Sequence, residues 1–271
     1  MAVTTLAGYP GASGELILES STEKKMSFGA YMETADGRGF RYCRNGTVAT
    51  VPGKVYQGPA LDATNMQPSG GLTPAAASSA SATVAAAIGA TQVTIASSIT
   101  LDLNALAGGY MSVDVTPGQG YTYRIKGNTL SAGTVGSPSA GTNVVVYLDD
   151  PIVIGLTTSS RVIFVKHPYD RVVIEPGTPT ANIAGVSTFI IGASVETTPT
   201  VPGVFYYGWL QTRGACSVLF TGTGIAGKAV GSLSGGTSGS VAPAIAATNI
   251  IGYHMATGIT TEYAMIYLVL G

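Results

Sequence analysis

Two histidines, two cysteines and fourteen carboxylates are the groups through which this chain of 271 residues could do acid–base, nucleophilic or metal chemistry. A hydrolytic triad needs a histidine held by a carboxylate and within reach of a nucleophile. His167 lies in KHPYD, and Asp170 three positions on supplies a second member. No G-x-S-x-G elbow accompanies the pair. The Pro-containing segment reads as a turn between strands, so His167 is expected to be an exposed turn residue. His254 sits in an apolar run between Tyr253 and Met255 and is expected to be a half-buried or interface side chain of a strand. Glycoside hydrolysis places two carboxylates across a cleft at a defined separation. The adjacent pair Asp149 and Asp150 occupies one turn, LDDPI, where the side chains diverge, and a calcium ion wants six or more oxygens. TGTGIAGK at 221–228 has the glycines of a phosphate loop, but that loop requires Ser or Thr after its lysine. Here Ala229 follows Lys228. Cys43 and Cys216 have no metal-ligand spacing and, in a reducing cytoplasm, are expected to be two free, partly buried thiols. No catalytic residue, cofactor or metal site is expected.

Aromatic residues carry more information. In a strand over 204–212, Phe205, Tyr207 and Trp209 share one face and Tyr206 points to the other. Such a face is core in the first instance, and Tyr and Trp are also enriched among the anchors of subunit contacts. The candidate interface residues are Phe40, Tyr42, Tyr206, Tyr207 and Trp209.

The surroundings of these residues are poor in charge. Charged side chains number 13 + 14 = 27, or 10%, where about 25% is usual for a soluble domain. With net charge −1, few groups keep a free surface wet and self-repelling, which points to a surface covered by other protein. The last hundred residues hold five charges: Glu175, Glu196, Arg213, Lys228 and Glu262. Basic residues do not outnumber acidic ones, so nucleic acid is not an expected partner. The longest clean apolar run, Tyr263 to Leu270, falls short of the roughly 20 residues that span a bilayer, and MAVTTLAGYP lacks the pattern of a secretory signal. The chain is expected to be made and used in a cytoplasm, without a membrane role.

The elements that hold these residues read as all-β: small β-barrel or β-sandwich domains, an extended N-terminal arm and a short Ala/Ser-rich linker. Residues 1–63 alternate in short runs between glycines, as in DGRGFRYCRNG at 36–46, and are expected to form the arm. Residues 64–90 open on a Pro/Gly cluster and continue as Ala/Ser low complexity, a linker with a short helix over 75–87. A β-domain is expected over 91–175, with strands at YMSVDV (110–115) and YTYRI (121–125) joined by the hairpin turn TPGQG. Further strands follow at VVVYL (144–148), SRVIFV (160–165) and DRVVI (170–174). Residues 176–199 read as a connecting segment. Residues 200–271, with apolar runs at 204–212, 215–220, 228–233, 249–255 and 262–270 between glycine corners, read as a C-terminal barrel or sandwich-like domain.

Taken in order, GRGFRYCRNG (37–46), GGYMSVDVTPGQGYTYRIKGNT (108–129), VVVYLDDPI (144–152), HPYDRVVI (167–174), GVFYYGWLQTRGACSVLF (203–220), GKAVGSLSGGTSGSV (227–241) and IIGYHMATG (250–258) resemble the capsid decoration, or cement, proteins of tailed bacteriophages. The resemblance covers most of the chain and leaves the Ala/Ser stretch unmatched. It implies a virion structural protein: a homo-oligomer, commonly a trimer, bound to the major capsid protein on the outer capsid surface and stiffening it. It brings no catalytic residues. A tail-fibre or adhesin-like carbohydrate-binding module is the alternative, and a polysaccharide-degrading enzyme the third reading.

Overall fold

The structure is a computed structural model that describes residues 17–59, 80–82, 85–97, 101, 103–130, 133–134, 137–138, 142–177, 179–195, 203–232, 237–245 and 249–270. The protein is all-β, and among the described residues there is no helix, hence none long and apolar enough to cross a membrane. Two compact units form, the first from residues 1–60, 168–196 and 203–271 and the second from 61–167 and 197–202. The first unit contributes β1 (Tyr31–Glu33), β2 (Gly39–Arg44) and β3 (Val55–Gln57). The second contains β4 (Ala80–Ala82), β5 (Gln92–Ser97), β6 (Tyr110–Val115), β7 (Thr122–Asn128), β8 (Gly133–Thr134), β9 (Ser137–Pro138), β10 (Thr142–Leu148) and β11 (Arg161–Val165). The chain then returns to the first unit with β12 (Val173–Ile174), β13 (Ile183–Ser187), β14 (Tyr207–Leu219), β15 (Ala229–Ser232), β16 (Val241–Pro243), β17 (Ile250–His254) and β18 (Tyr263–Val269).

The second unit is a closed six-stranded antiparallel barrel in the order β10-β5-β4-β11-β6-β7, with β8 and β9 as a separate small hairpin. Alternation along β6, the first part of β7, and β11 builds it. Val93, Ile95, Met111, Val113, Tyr123, Ile125, Val144, Val146, Val162 and Phe164 point inward as one apolar core, while Asp114, Arg124, Lys126 and Arg161 face water. β6, β7 and β10 are neighbours in sequence order and β11 returns beside β6, which is a Greek key. Closure removes the free strand edges that an open sheet would expose. The β6–β7 turn is TPGQG as expected. Gly118 there has φ +89°, and a Cβ on it would lie 2.7 Å from the Leu156 side chain, so both space and backbone require glycine.

The first unit is a curled ten-stranded sheet whose path runs β12-β3-β13-β14-β18-β17-β15-β16, with β2 also on β14 and β1 on β2. The 13-residue β14 holds it together. From Tyr207 to Thr212 it is buried on both faces, between β2, β13 and the clusters around Trp209 and Leu210. After a register shift between Gln211 and Arg213 it pairs with β18. A bulge bends a strand and lets it pass from one sheet region to another, and beyond it only alternate residues are buried.

Several expected boundaries differ from this architecture. Residues 1–63 are not an arm apart from a core: within the described part, β2 pairs along β14 and β3 lies between β12 and β13, with Met32, Phe40 and Tyr42 buried. The missing ingredient was a partner more than a hundred residues away, which no local window displays. Within 64–90, residues 64–79 and 83–84 lie outside the described residues. Residues 80–82, placed by the expected helix over 75–87, form β4 of the barrel. The barrel strands span β4 to β11, so the 91–175 domain begins earlier than expected, and its last strand, 170–174, survives as β12 of the first unit. The connecting segment 176–199 contains β13, with Val186 in the core. The two runs at 204–212 and 215–220 are one strand, so 200–271 is not self-contained but is completed by β1–β3, β12 and β13.

Candidate functional site

Four of the five candidate interface residues come together inside the protomer. Phe40, Tyr42, Tyr207 and Trp209 form one cluster with Met32. Tyr42 meets Trp209 edge-on at 5.2 Å between ring centroids and stacks over Tyr207 at 6.2 Å. Cross-strand register explains this, because Tyr42 lies opposite Trp209 and Arg44 opposite Tyr207. Tyr206 points to the other face, against the cluster of Tyr56, Ile191 and Leu210, and Phe205 joins Trp209's side. The expected alternation is therefore present, but Phe40, Tyr42, Tyr207 and Trp209 are core. They cannot anchor a second subunit without unfolding the first.

The groups singled out for chemistry are engaged structurally. Both oxygens of Asp170 accept from Arg44, Nε to Oδ1 at 2.5 Å and an Nη to Oδ2 at 2.9 Å. The guanidinium lies 4.6 Å from the ring centroid of Phe205 and 5.9 Å from that of Phe28, a partly buried bidentate pair in an aromatic setting. The carboxylate that could orient His167 is thus taken, and His167 lies half-buried after β11. His254 is 3% exposed, edge-on to Phe220 at 4.6 Å, with neither ring nitrogen in a well-formed hydrogen bond. Burial depresses its pKa, opposed by the backbone of Ala256. A Cβ on Gly224 would lie 2.4 Å from its Cε1, so the glycine-rich 221–228 segment makes room for an imidazole rather than cradling phosphate. Glu175 is fully buried with neither oxygen in a well-formed hydrogen bond. Burial raises its pKa, and the backbone near Gly177 and Gly239 offsets part of that rise. Cys43 and Cys216 are free and buried. Burial pushes both thiols upward, Cys216 to about 12, so neither is a ready nucleophile. Among the described residues, no three His, Cys, Asp or Glu side chains are grouped to hold a metal.

The surface that stands out lies on β14, β17 and β18. Along β18, Ala264, Ile266 and Leu268 are buried, while Tyr263, Met265, Tyr267 and Val269 are exposed. Tyr253 of β17 lies opposite Tyr267, and Met255 follows it with its N–H on the Met265 carbonyl. On the other side Ala215 pairs with Tyr267 and Ser217 with Met265. Arg213 at one end is held by the hydroxyls of Tyr31 and Tyr267 and drawn to Glu33. Beside this face runs a groove of about 570 Å³ whose lining includes Arg38, Val51, Gln211, Cys216, Tyr263 and Met265. Tyr263 lies across Gly53, where a Cβ would come within 2.4 Å of its ring. Sequence reasoning gave 262–270 as one apolar run of the C-terminal domain without separating its inward and outward rows. The signal was present: in EYAMIYLVL neither phase of the alternation is polar.

Comparison with protein-family models, with curated protein sequences and with solved structures gave no match.

Proposed function

We propose that this chain is a virion structural protein, a decoration or cement protein of a tailed phage. In this reading it works as a homo-oligomer, a trimer by its likeness to that family, and binds the major capsid protein on the outer surface of the capsid. The observation that supports it best is the C-terminal sheet with apolar residues on both faces. Antiparallel sheets that face water on one side normally turn polar residues to it, and a large exposed apolar patch marks a contact site. A protein of this kind acts by burying surface against its neighbours, without turnover or cofactor, and needs neither nucleic acid nor membrane. The test is direct. Antibody raised against the purified chain should label the outer capsid surface of intact particles in electron micrographs, and label confined to the tail, or missing from particles, overturns the reading.

One observation favours the carbohydrate-binding alternative. Tyr253, Tyr263 and Tyr267 present three rings on one solvent face, a shape suited to stacking on sugars. Glycan binding by the isolated protein, lost with these tyrosines while capsid attachment persists, would favour an adhesin-like module.

A further inference from the structure

We infer that the outer face of β14, β17 and β18 is the surface through which copies of this chain meet one another, with Tyr253, Met265 and Tyr267 at its centre. The inference rests on the assembly reading above and names its contact surface and the occupant of that surface.

The barrel supplies an internal comparison. Its outward residues set Asp114, Thr122, Arg124, Lys126 and Arg161 among Tyr110, Tyr147 and Val165, so charges interrupt the apolar surface of its strands. The corresponding outward positions of β17 and β18 are Tyr253, Tyr263, Met265, Tyr267 and Val269, with Ile250 and Met255 at the ends of β17. The barrel surface thus carries charges among its apolar residues, whereas the outward positions of β17 and β18 carry none.

Area and charge select the occupant. Tyr253, Tyr263 and Tyr267 are 44%, 52% and 41% exposed. On a scale of about 200 Å² per aromatic side chain they present roughly 270 Å². With Ile250, Met255, Met265 and Val269 the face reaches on the order of 500 Å². Two copies meeting through it would remove about 1,000 Å² from water, the size at which a specific contact becomes credible. The charges beside it balance: Arg213 and Glu33, which attract each other within one protomer, Arg38 in the groove and exposed Glu262 just before β18. A partner recognised by charge would find little to read, whereas an identical face meets it without like-charge repulsion. Contact between identical patches is the two-fold contact of symmetric dimers, the commonest closed homo-oligomers, so this face pairs copies two by two, apart from the contacts that would close a trimer, and Tyr is favoured at the centre of such contacts.

Sedimentation velocity of the full chain across nanomolar to tens of micromolar concentration tests this. The natural sequence should be oligomeric at micromolar concentration. Tyr267→Lys and, independently, Tyr253→Lys should each weaken association at least about 30-fold, while Tyr110→Lys, outward on the barrel, should leave it unchanged. Fluorescence of the single tryptophan, Trp209, and the urea midpoint report whether each variant is folded. Folded Tyr267→Lys and Tyr253→Lys proteins that associate as tightly as the parent overturn the inference and leave the assembly reading intact. A parent chain that stays monomeric throughout also overturns it. If that monomer binds empty capsids and Tyr267→Lys abolishes the binding, the face belongs to the capsid protein instead. If the tyrosine variants dissociate as expected but the parent oligomer binds no capsid, the inference stands and the decoration reading falls.

Discussion

Asp170→Ala should be among the most damaging single substitutions on the surface-to-core boundary of the first unit. Arg44 and Asp170 are 126 positions apart and join where β2 meets the returning chain, since the Arg44 N–H donates to the Tyr169 carbonyl and the Val172 N–H to the Arg44 carbonyl. Their side chains are 14% and 5% exposed, so this is not a solvated surface pair, which would be worth about 0–1 kcal/mol. Removing the carboxylate leaves a guanidinium among Phe28 and Phe205 with no counter-charge and only the Tyr207 hydroxyl beside it, at a cost of about 3–5 kcal/mol. That is a large part of the roughly 5–15 kcal/mol that holds a domain folded. Arg44→Met should cost a similar amount by stranding Asp170. The double variant removes both charges, so it should cost less than the sum by about 2–3 kcal/mol. Urea unfolding followed by Trp209 fluorescence, with unchanged slopes, measures each corner of the cycle. Additivity within about 0.5 kcal/mol, or a cost for Asp170→Ala below about 1 kcal/mol, would refute the claim that the pair acts as a desolvated unit.

Trp209→Ala should cost about 3–5 kcal/mol in urea unfolding, because the side chain is 1% exposed inside a packed cluster. Trp209→Phe should be far milder, since the buried indole N–H makes no hydrogen bond that would be lost. The depressed pKa of His254 means that the unfolded chain binds its proton more readily than the folded one. Stability should therefore be full above the ordinary histidine value of 6.5 and fall as pH drops through the folded value, a slope that His254→Phe should reduce in pH-dependent thermal melts. Glu175 has the opposite sign: its contribution is present below the ordinary value of 4.5 and lost as pH rises through the folded value, so Glu175→Gln should raise the melting temperature at neutral pH and leave it unchanged at pH 3. Deleting residues 1–35 removes β1 and buried Met32, and should expose the first unit to proteolysis while barrel fragments stay resistant.

Sequence pattern read well where burial is one-sided and pairing is local. β6 coincides with YMSVDV, and β7, β10, β11, β15, β17 and β18 fall on their apolar runs, because period-two alternation is written into each segment. Pattern failed where pairing is distant. Phe40 and Tyr42 show an alternation that suits an exposed arm as well as a core strand, and only β14, with Gln211 opposite Phe40 and Trp209 opposite Tyr42, decides between them. β4 was hidden because ASA carries no apolar period at all, and closure of the barrel places it. The outward row of β18 went unnamed for a related reason: Tyr263, Met265 and Tyr267 are apolar in a phase that the inner core does not use. From the sequence, a strand covered by its own chain and one covered by another chain look alike. Trp209 and its neighbours drew attention as the densest aromatic string, yet density of aromatics tracks burial more closely than contact.

The adjacency of Gly58 and Pro168 has a consequence for how this chain is made and could have arisen. A Cβ on Gly58 would lie 3.1 Å from the Pro168 carbonyl oxygen, so the polypeptide departs for the barrel and comes home at one locus. Residues 59–167 are in gene terms a cassette, bounded by two points that a linker of a few residues could join. On the ribosome, β2 and β3 emerge early and then wait while the whole barrel is translated. At about 5–20 residues per second, roughly 10–30 s pass before β14 offers Tyr42 its partner. During that interval Phe40 and Tyr42 are unburied apolar surface, and the nascent barrel, built mainly from strands close in sequence, can close first. A chaperone acting on this protein would therefore find a client segment at β2, and a version lacking the cassette would shorten that exposure.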